Sequence, residues 1–203
     1  MTGIRVLWLA VWLALGSTAQ AATIVVFGDS ISAAYGLEVD KGWVAKLQQK
    51  LALEAPGKHS VINASVSGET TQGGLLRLPG VLAQYKPDVL VLELGGNDGL
   101  RGQPLPLMTQ NLRVMAGMAK KSEAKVLLLG IRIPPNYGKG YTESFAAVYP
   151  SVAKAEKVAV VPFFLEGVGG KPELMQADGV HPNAAAQDRV MGNVWGGLKR
   201  LIQ

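Results

Sequence analysis

Five short runs of Val, Ile and Leu, separated by longer amphipathic stretches, constrain the fold of this chain more than any other feature. The runs are Ile24–Phe27, Ser60–Asn63, Val89–Leu94, Val126–Gly130 and Val158–Pro162. A strand with one wet face alternates apolar and polar residues. A strand that is apolar nearly throughout is covered on both faces, as in a parallel sheet lying between helices. The intervening stretches carry apolar residues at helical spacing, such as Val44, Leu47 and Leu51 within Trp43–Glu54. Gln72–Gln84, Pro106–Lys121 and Tyr141–Lys157 follow, and Ala184–Ile202 closes the chain with Val190, Val194, Leu198 and Leu201 along one face. Pro182 or Asn183 marks the start of that last helix. The alternation predicts an α/β fold: a three-layer α/β/α sandwich with a five-stranded parallel sheet in the flavodoxin-like order 2-1-3-4-5. No repeat, low-complexity tract or linker divides it. The Gly/Pro-rich segment Ile131–Gly140 reads as a loop over one end of the sheet.

Ahead of the first strand, Met1 to Ala21 places Arg5 before the apolar run Val6–Leu15 and ends on Ala19-Gln20-Ala21. This is the layout of a cleavable secretory signal peptide. The rival reading, an uncleaved anchor, needs roughly 20 apolar residues, and this run is shorter. The expected organisation is a signal peptide over residues 1–21, one domain over 22–203, export from the cytoplasm and no stable membrane anchor. The chain has no cysteine, so the exported domain must stand without disulfides, and thiolate catalysis is excluded. The net charge of +5 is scattered, with no basic run interleaved with aromatics. That is a solvated surface rather than a nucleic-acid footprint.

Unusual residues cluster after the strands. Gly28-Asp29-Ser30 follows the first, "NASVSGETT" (Asn63–Thr71) the second and "ELGGNDGLRG" (Glu93–Gly102) the third, while "DGVHPN" (Asp178–Asn183) precedes the last helix. In a parallel sheet the C-terminal strand ends lie along one edge, where such segments meet. Acyl transfer needs a hydroxyl nucleophile, a base, a group that orients the base, and donors aimed at an oxyanion. Ser30 offers the hydroxyl. Of the two histidines, His59 stands at the head of the second strand, the wrong end of the sheet. His181 follows Asp178 by three residues, a spacing that lets the carboxylate fold back onto the imidazole. The same fragment also reads as a turn and helix cap. Asn97 carries two N–H donors suited to an oxyanion, and Gly68 would let a backbone N–H approach a bound group; both are equally natural turn residues. Asp29 reads as a turn or cap former. Spacing alone does not exclude a glycosidase-like carboxylate pair, which would leave Ser30 and Asp178/His181 without a role. No metal-ligand spacing is present, and the Gly28-Asp29-Ser30 loop lacks the glycines and lysine of a phosphate loop.

Together these segments resemble the SGNH, or GDSL-type, hydrolases. "FGDSIS", "NASVSGET", "ELGGNDGLRG" and "DGVHPN" look like four blocks of that family in order, from Phe27 to Asn183. The resemblance implies Ser30 as nucleophile, Asp178 and His181 as its triad partners, and an oxyanion hole from Ser30, Gly68 and Asn97. "SGETTQGGLLRLP", "IPPNYGKGYTESFAAVYP" and "VPFFLEGVGG" carry a narrower similarity, to the thioesterase I / lysophospholipase L1 / arylesterase subgroup. The first block here is GDSI; Ile31 for leucine is a core exchange. The resemblance implies a monomeric, periplasmic or secreted serine esterase without cofactor or metal. Its substrates would be small acyl esters and thioesters: aryl and alkyl esters, acyl-CoA and lysophospholipids, with peptide-like esters and amides for some relatives. A carbohydrate O-acetyl esterase, or a non-catalytic lipid- or glycan-binding exported protein, is the alternative. Leu100 and Leu107 after the third strand, and Pro134 and Tyr137 after the fourth, are expected to line an acyl groove. Simple loop packing would account for them as well.

Overall fold

The computed structural model describes residues 21–203, so the signal-peptide reading lies outside the described residues except at Ala21. The chain runs β1 (Ala22–Gly28), α1 (Trp43–Glu54), β2 (His59–Asn63), α2 (Thr71–Tyr85), β3 (Val89–Glu93), α3 (Gly96–Leu100), α4 (Leu105–Lys121), β4 (Lys125–Leu129), α5 (Lys139–Glu156), β5 (Ala159–Val161) and α6 (Gln187–Leu198). The sheet order is β2-β1-β3-β4-β5 with every pair parallel, as the alternation predicts. Each strand forms where an apolar run can be covered twice. Ile24 to Phe27 and Val89 to Leu92 are almost wholly buried, and each such side chain contributes roughly 1.5–3 kcal/mol on leaving water. α1 packs against α6, and separately α2 packs on α4 and α4 on α5, which gives the two helical layers. Among the described residues, no helix is long and apolar enough to cross a membrane.

Two details depart from the pattern-based expectation. The closing helix is a 3-10 turn (Ala184–Ala186), then α6, then another 3-10 turn (Lys199–Leu201). Asn183 is its cap, accepting the Ala185 N–H at 3.0 Å. The second departure is α3, a five-residue helix inside "ELGGNDGLRG". Its N-cap, Gly95, has φ +116°, and a Cβ there would lie 2.6 Å from the Tyr149 hydroxyl. Only glycine tolerates both, and so the chain can turn sharply out of β3 into a helix. The C-terminal ends of β1 and β3 are neighbours, with Gly28 opposite Glu93. The segments after them leave the sheet side by side.

Candidate active site

β1 stops at Gly28 because the space beside it is taken. A Cβ would meet Glu93 Oε2 at 2.5 Å and Ser32 Oγ at 2.8 Å. The chain then coils tightly: the Ala33 N–H donates to Asp29 O (2.9 Å) and the Tyr35 N–H to Ser30 O (3.0 Å). Asp29 is buried, and its Oδ1 accepts the Ile31 N–H at 3.0 Å, the turn-forming role expected of it. Ser30 is left half-buried at the strand end.

From the far end of the chain, His181 reaches Ser30. Its Nε2 lies 2.8 Å from Ser30 Oγ, and its Nδ1 lies 2.7 Å from Asp178 Oδ2. An ionised carboxylate only accepts, so Nδ1 carries the proton and Nε2 is free to accept the serine O–H. Asp178 Oδ1 also accepts the backbone N–H groups of Val180 (2.9 Å) and His181 (3.0 Å). Partial burial opposes ionisation of Asp178. Hydrogen bonds from the His181 backbone and ring and from Val180 outweigh it, and hold the carboxyl down to about 2. The carboxylate is therefore charged at any working pH, as an orienter of imidazole must be.

The loop that carries this pair is clamped at several points. Gln176 Nε2 donates to Tyr35 O (2.8 Å) and to Pro182 O (3.2 Å), which ties the histidine loop to the serine loop. The Tyr35 ring stands 4.7 Å from the imidazole, centroid to centroid. Gln187, buried at the start of α6, accepts the Trp43 N–H at 2.9 Å and donates to Pro182 O and Asn183 O. None of these contacts has a local sequence signal. Gln176 and Tyr35 are 141 positions apart.

Asn97, in the first turn of α3, stands beside Ser30 on the same cavity wall. Its amide nitrogen donates to Asp29 Oδ2 (3.1 Å) and to the Glu69 carbonyl (3.0 Å). An oxyanion at this place would therefore share the N–H now given to Asp29. Gly68 is not on that wall. It lies next to Glu69, has φ +79°, and its carbonyl accepts Arg101 Nη2 at 3.2 Å. A buried network holds α3 in place: Asp98 accepts the Thr71 N–H (2.9 Å) and hydroxyl (2.5 Å), and Asn111 donates to the same hydroxyl (3.1 Å).

Under the serine loop lie two buried carboxyls. Glu93 Oε2 accepts the Ser32 hydroxyl (2.7 Å) and the Asp29 N–H (3.2 Å), while Oε1 has no partner among the described residues. Burial, and then the negative charge of Asp29, push Glu93 well above the ordinary range. Burial likewise raises Asp29, against the pull of the Ile31 N–H, His181 and Asn97, to about 6. Of the two, Glu93 is the more deeply buried, and burial favours its neutral form the more strongly.

Ser30, Asn97 and His181 open onto a cavity of about 340 Å³ whose other walls include Ile31, Leu100, Ile131, Ile133, Phe163, Leu165 and Met175. Of the expected groove residues, Leu100 and Pro134 are on its wall. Leu107 is not: α4 already begins at Leu105, and Leu107 rides on that helix, 42% exposed. Tyr137 stands behind the wall, its hydroxyl donating to Leu100 O at 3.1 Å. Arg132, which opens the loop expected to line the groove, supplies part of the lining, and so does the Phe163–Gly170 segment, which had no place in the expected site.

The chain is similar to known proteins over most of its length. Residues 26–189 match the model of the GDSL-like lipase/acylhydrolase family. The chain is 57% identical over 188 residues, 93% of each protein, to "Esterase TesA" of Pseudomonas aeruginosa. It is 47% identical to "Thioesterase 1/protease 1/lysophospholipase L1" of Escherichia coli K12, over 83% of this chain and 79% of that one. The crystal structure of a protein named TesA superposes with a TM-score of 0.86 at 58% identity, covering 88% of this chain and 99% of the other.

Proposed function

The chain belongs to the GDSL-like lipase/acylhydrolase family, and from that premise we propose that it is a serine hydrolase of acyl esters and thioesters working through Ser30, His181 and Asp178. The observation that carries the reading is the unbroken relay from the Asp178 carboxylate through both imidazole nitrogens to Ser30 Oγ, with links of 2.7 and 2.8 Å. His181 Nε2 takes the hydroxyl proton as Oγ attacks the acyl carbonyl. Asp178 holds the imidazole and balances the imidazolium that forms. For the negative charge on the former carbonyl oxygen we assign the Ser30 N–H and the Asn97 amide, which share the cavity wall, and as third donor the Gly68 N–H, off that wall but on the segment whose Glu69 carbonyl Asn97 binds. His181 then gives its proton to the departing alcohol or thiol oxygen or sulfur. Water, deprotonated by the same nitrogen, releases the acid from Ser30.

The walls of the cavity support the substrate class. Ile31, Leu100, Ile131, Ile133 and Leu165 offer apolar surface well beyond what an acetyl group fills, which favours longer acyl chains over a sugar O-acetyl ester. Aryl and alkyl esters, acyl-CoA and lysophospholipids are the small molecules we assign to it. The Arg5, Val6–Leu15 and Ala19-Gln20-Ala21 layout supports cleavage after Ala21 and export, to the periplasm where a second membrane exists. The test is hydrolysis of p-nitrophenyl esters of increasing acyl length by the mature protein and by Ser30→Ala. Loss of turnover in the variant, with a wild-type optimum beyond acetyl, is the expected result. Equal activity in the two proteins overturns the mechanism, and a wild type confined to acetyl esters overturns the substrate class.

A further inference from the structure

The loop after β4 alternates. Ile131 and Ile133 are 4% and 7% exposed and face the cavity interior, while Arg132 between them is 56% exposed at its rim. Among the described residues it is the only lysine or arginine on the cavity wall. The guanidinium lies over the Phe163 ring, 4.6 Å from its centroid. Its nearest carboxylate, Glu166 Oε2, is 4.0 Å away, beyond hydrogen-bond distance, and that side chain is itself 70% exposed. So wet a pair adds little to stability, and among the described residues no hydrogen bond uses the guanidinium fork.

We infer that Arg132 is a specificity-determining residue that recognises a phosphate group on the leaving half of the substrate. The inference rests on the acyl-hydrolase reading above. The acyl chain takes the apolar interior and the scissile carbonyl stands at Ser30. What remains at the mouth is the leaving group, where Arg132 is. A guanidinium matches phosphate oxygens with two parallel N–H donors, and stacking on Phe163 holds the plane so that less freedom is lost on binding. The phosphate has two possible sources among acyl substrates: the nucleotide part of a coenzyme A thioester, or the headgroup of a lysophospholipid.

The test compares wild type, Arg132→Gln and Arg132→Lys on octanoyl-CoA, an octanoyl lysophosphatidylglycerol and p-nitrophenyl octanoate. The readout is kcat/KM for each phosphate-bearing substrate divided by that for the nitrophenyl ester. In Arg132→Gln the ratio falls about tenfold, the size of one charge-assisted hydrogen bond discounted for exposure. Arg132→Lys recovers part of it, and 0.5 M salt lowers the wild-type ratio more than the variant's. A fall for both substrates assigns phosphate recognition at large. A fall for one assigns its source, nucleotide or headgroup. Ratios that stay put in Arg132→Gln, whether or not the three rates drop together, overturn the inference and leave the hydrolase reading standing. A wild type inactive on p-nitrophenyl octanoate overturns both.

Discussion

Asp29→Asn separates the energetics of the buried carboxyls from the chemistry above them. In the folded protein the Asp29 carboxyl is raised from 3.8 to about 6, chiefly by burial. Two pKa units at 1.36 kcal/mol each amount to about 3 kcal/mol. A raised folded-state value means that the fold prefers the protonated form. The contribution is fully present below about pH 4 and is lost as pH rises through 6. Asparagine cannot ionise, so the stability difference, variant minus wild type, should move by about 3 kcal/mol in the variant's favour from pH 4 to pH 7.5. The variant also puts an amide against the Asn97 amide in place of an acceptor. That costs about 1–3 kcal/mol at both pH values, so the change with pH is the quantity to read. Glu93, Asp98 and His181 face the same position in both proteins. Urea unfolding at the two pH values and one ionic strength supplies the numbers. A difference that stays constant within about 0.5 kcal/mol, or that moves against the variant as pH rises, refutes the burial argument.

Asn97→Ala should raise the barrier to ester hydrolysis by about 2.7–4 kcal/mol, seen in kcat rather than KM, as for the removal of one oxyanion donor; full activity would remove Asn97 from that role. Asp178→Asn presents an N–H or the wrong tautomer partner to His181 Nδ1. It should cost roughly three to four orders of magnitude in kcat while leaving the fold and the nitrophenyl-ester KM near wild type. Gly95→Ala places a methyl 2.6 Å from the Tyr149 hydroxyl at φ +116° and should destabilise by about 1–3 kcal/mol. Thermal unfolding of the variant at wild-type Tm would show that α3 can start without glycine.

The sheet was legible because burial on both faces writes itself into composition. β1 and β3 are apolar at every inner position, and no other arrangement covers them. Ser30, His181 and Asn97 were legible because their residue types follow strand ends or begin a helix. What the sequence did not disclose was geometry settled over long distances. "GGND" has turn propensity, and it becomes helical only because Gly95 fits under Tyr149 and Asp98 is bonded to Thr71. Leu107 was assigned to a groove-lining loop, yet the helix opening on Leu105 turns it to solvent. Arg132 did carry a local signal, the in-out-in alternation of Ile131-Arg132-Ile133 on the heels of a strand, which a strictly loop-based view of that segment passes over.

The buried carboxyls have a structural cause. Gly28 and Glu93 are opposite each other in the β1–β3 register, so the serine loop and the asparagine helix leave the sheet from adjacent positions. Two sharp departures so close together leave backbone and hydroxyl donors without ladder partners, and in a dry layer those donors need acceptors. Glu93 takes the Asp29 N–H and the Ser32 hydroxyl; Asp29 takes the Ile31 N–H and the Asn97 amide. An amide in place of Asp29 would keep one oxygen and set an NH2 against the Asn97 amide, where the carboxyl offers an acceptor on each side. A carboxyl presents no N–H of its own, and the proton that burial favours offsets the cost of burying its charge. The result is a floor of acceptors beneath the serine loop and α3 that fixes where the Ser32 hydroxyl and the Asn97 amide point. The same floor makes the Asn97 amide answer to the protonation of Asp29. Below about pH 6 that carboxyl gains a proton and loosens its hold on the N–H, which is then freer for an oxyanion.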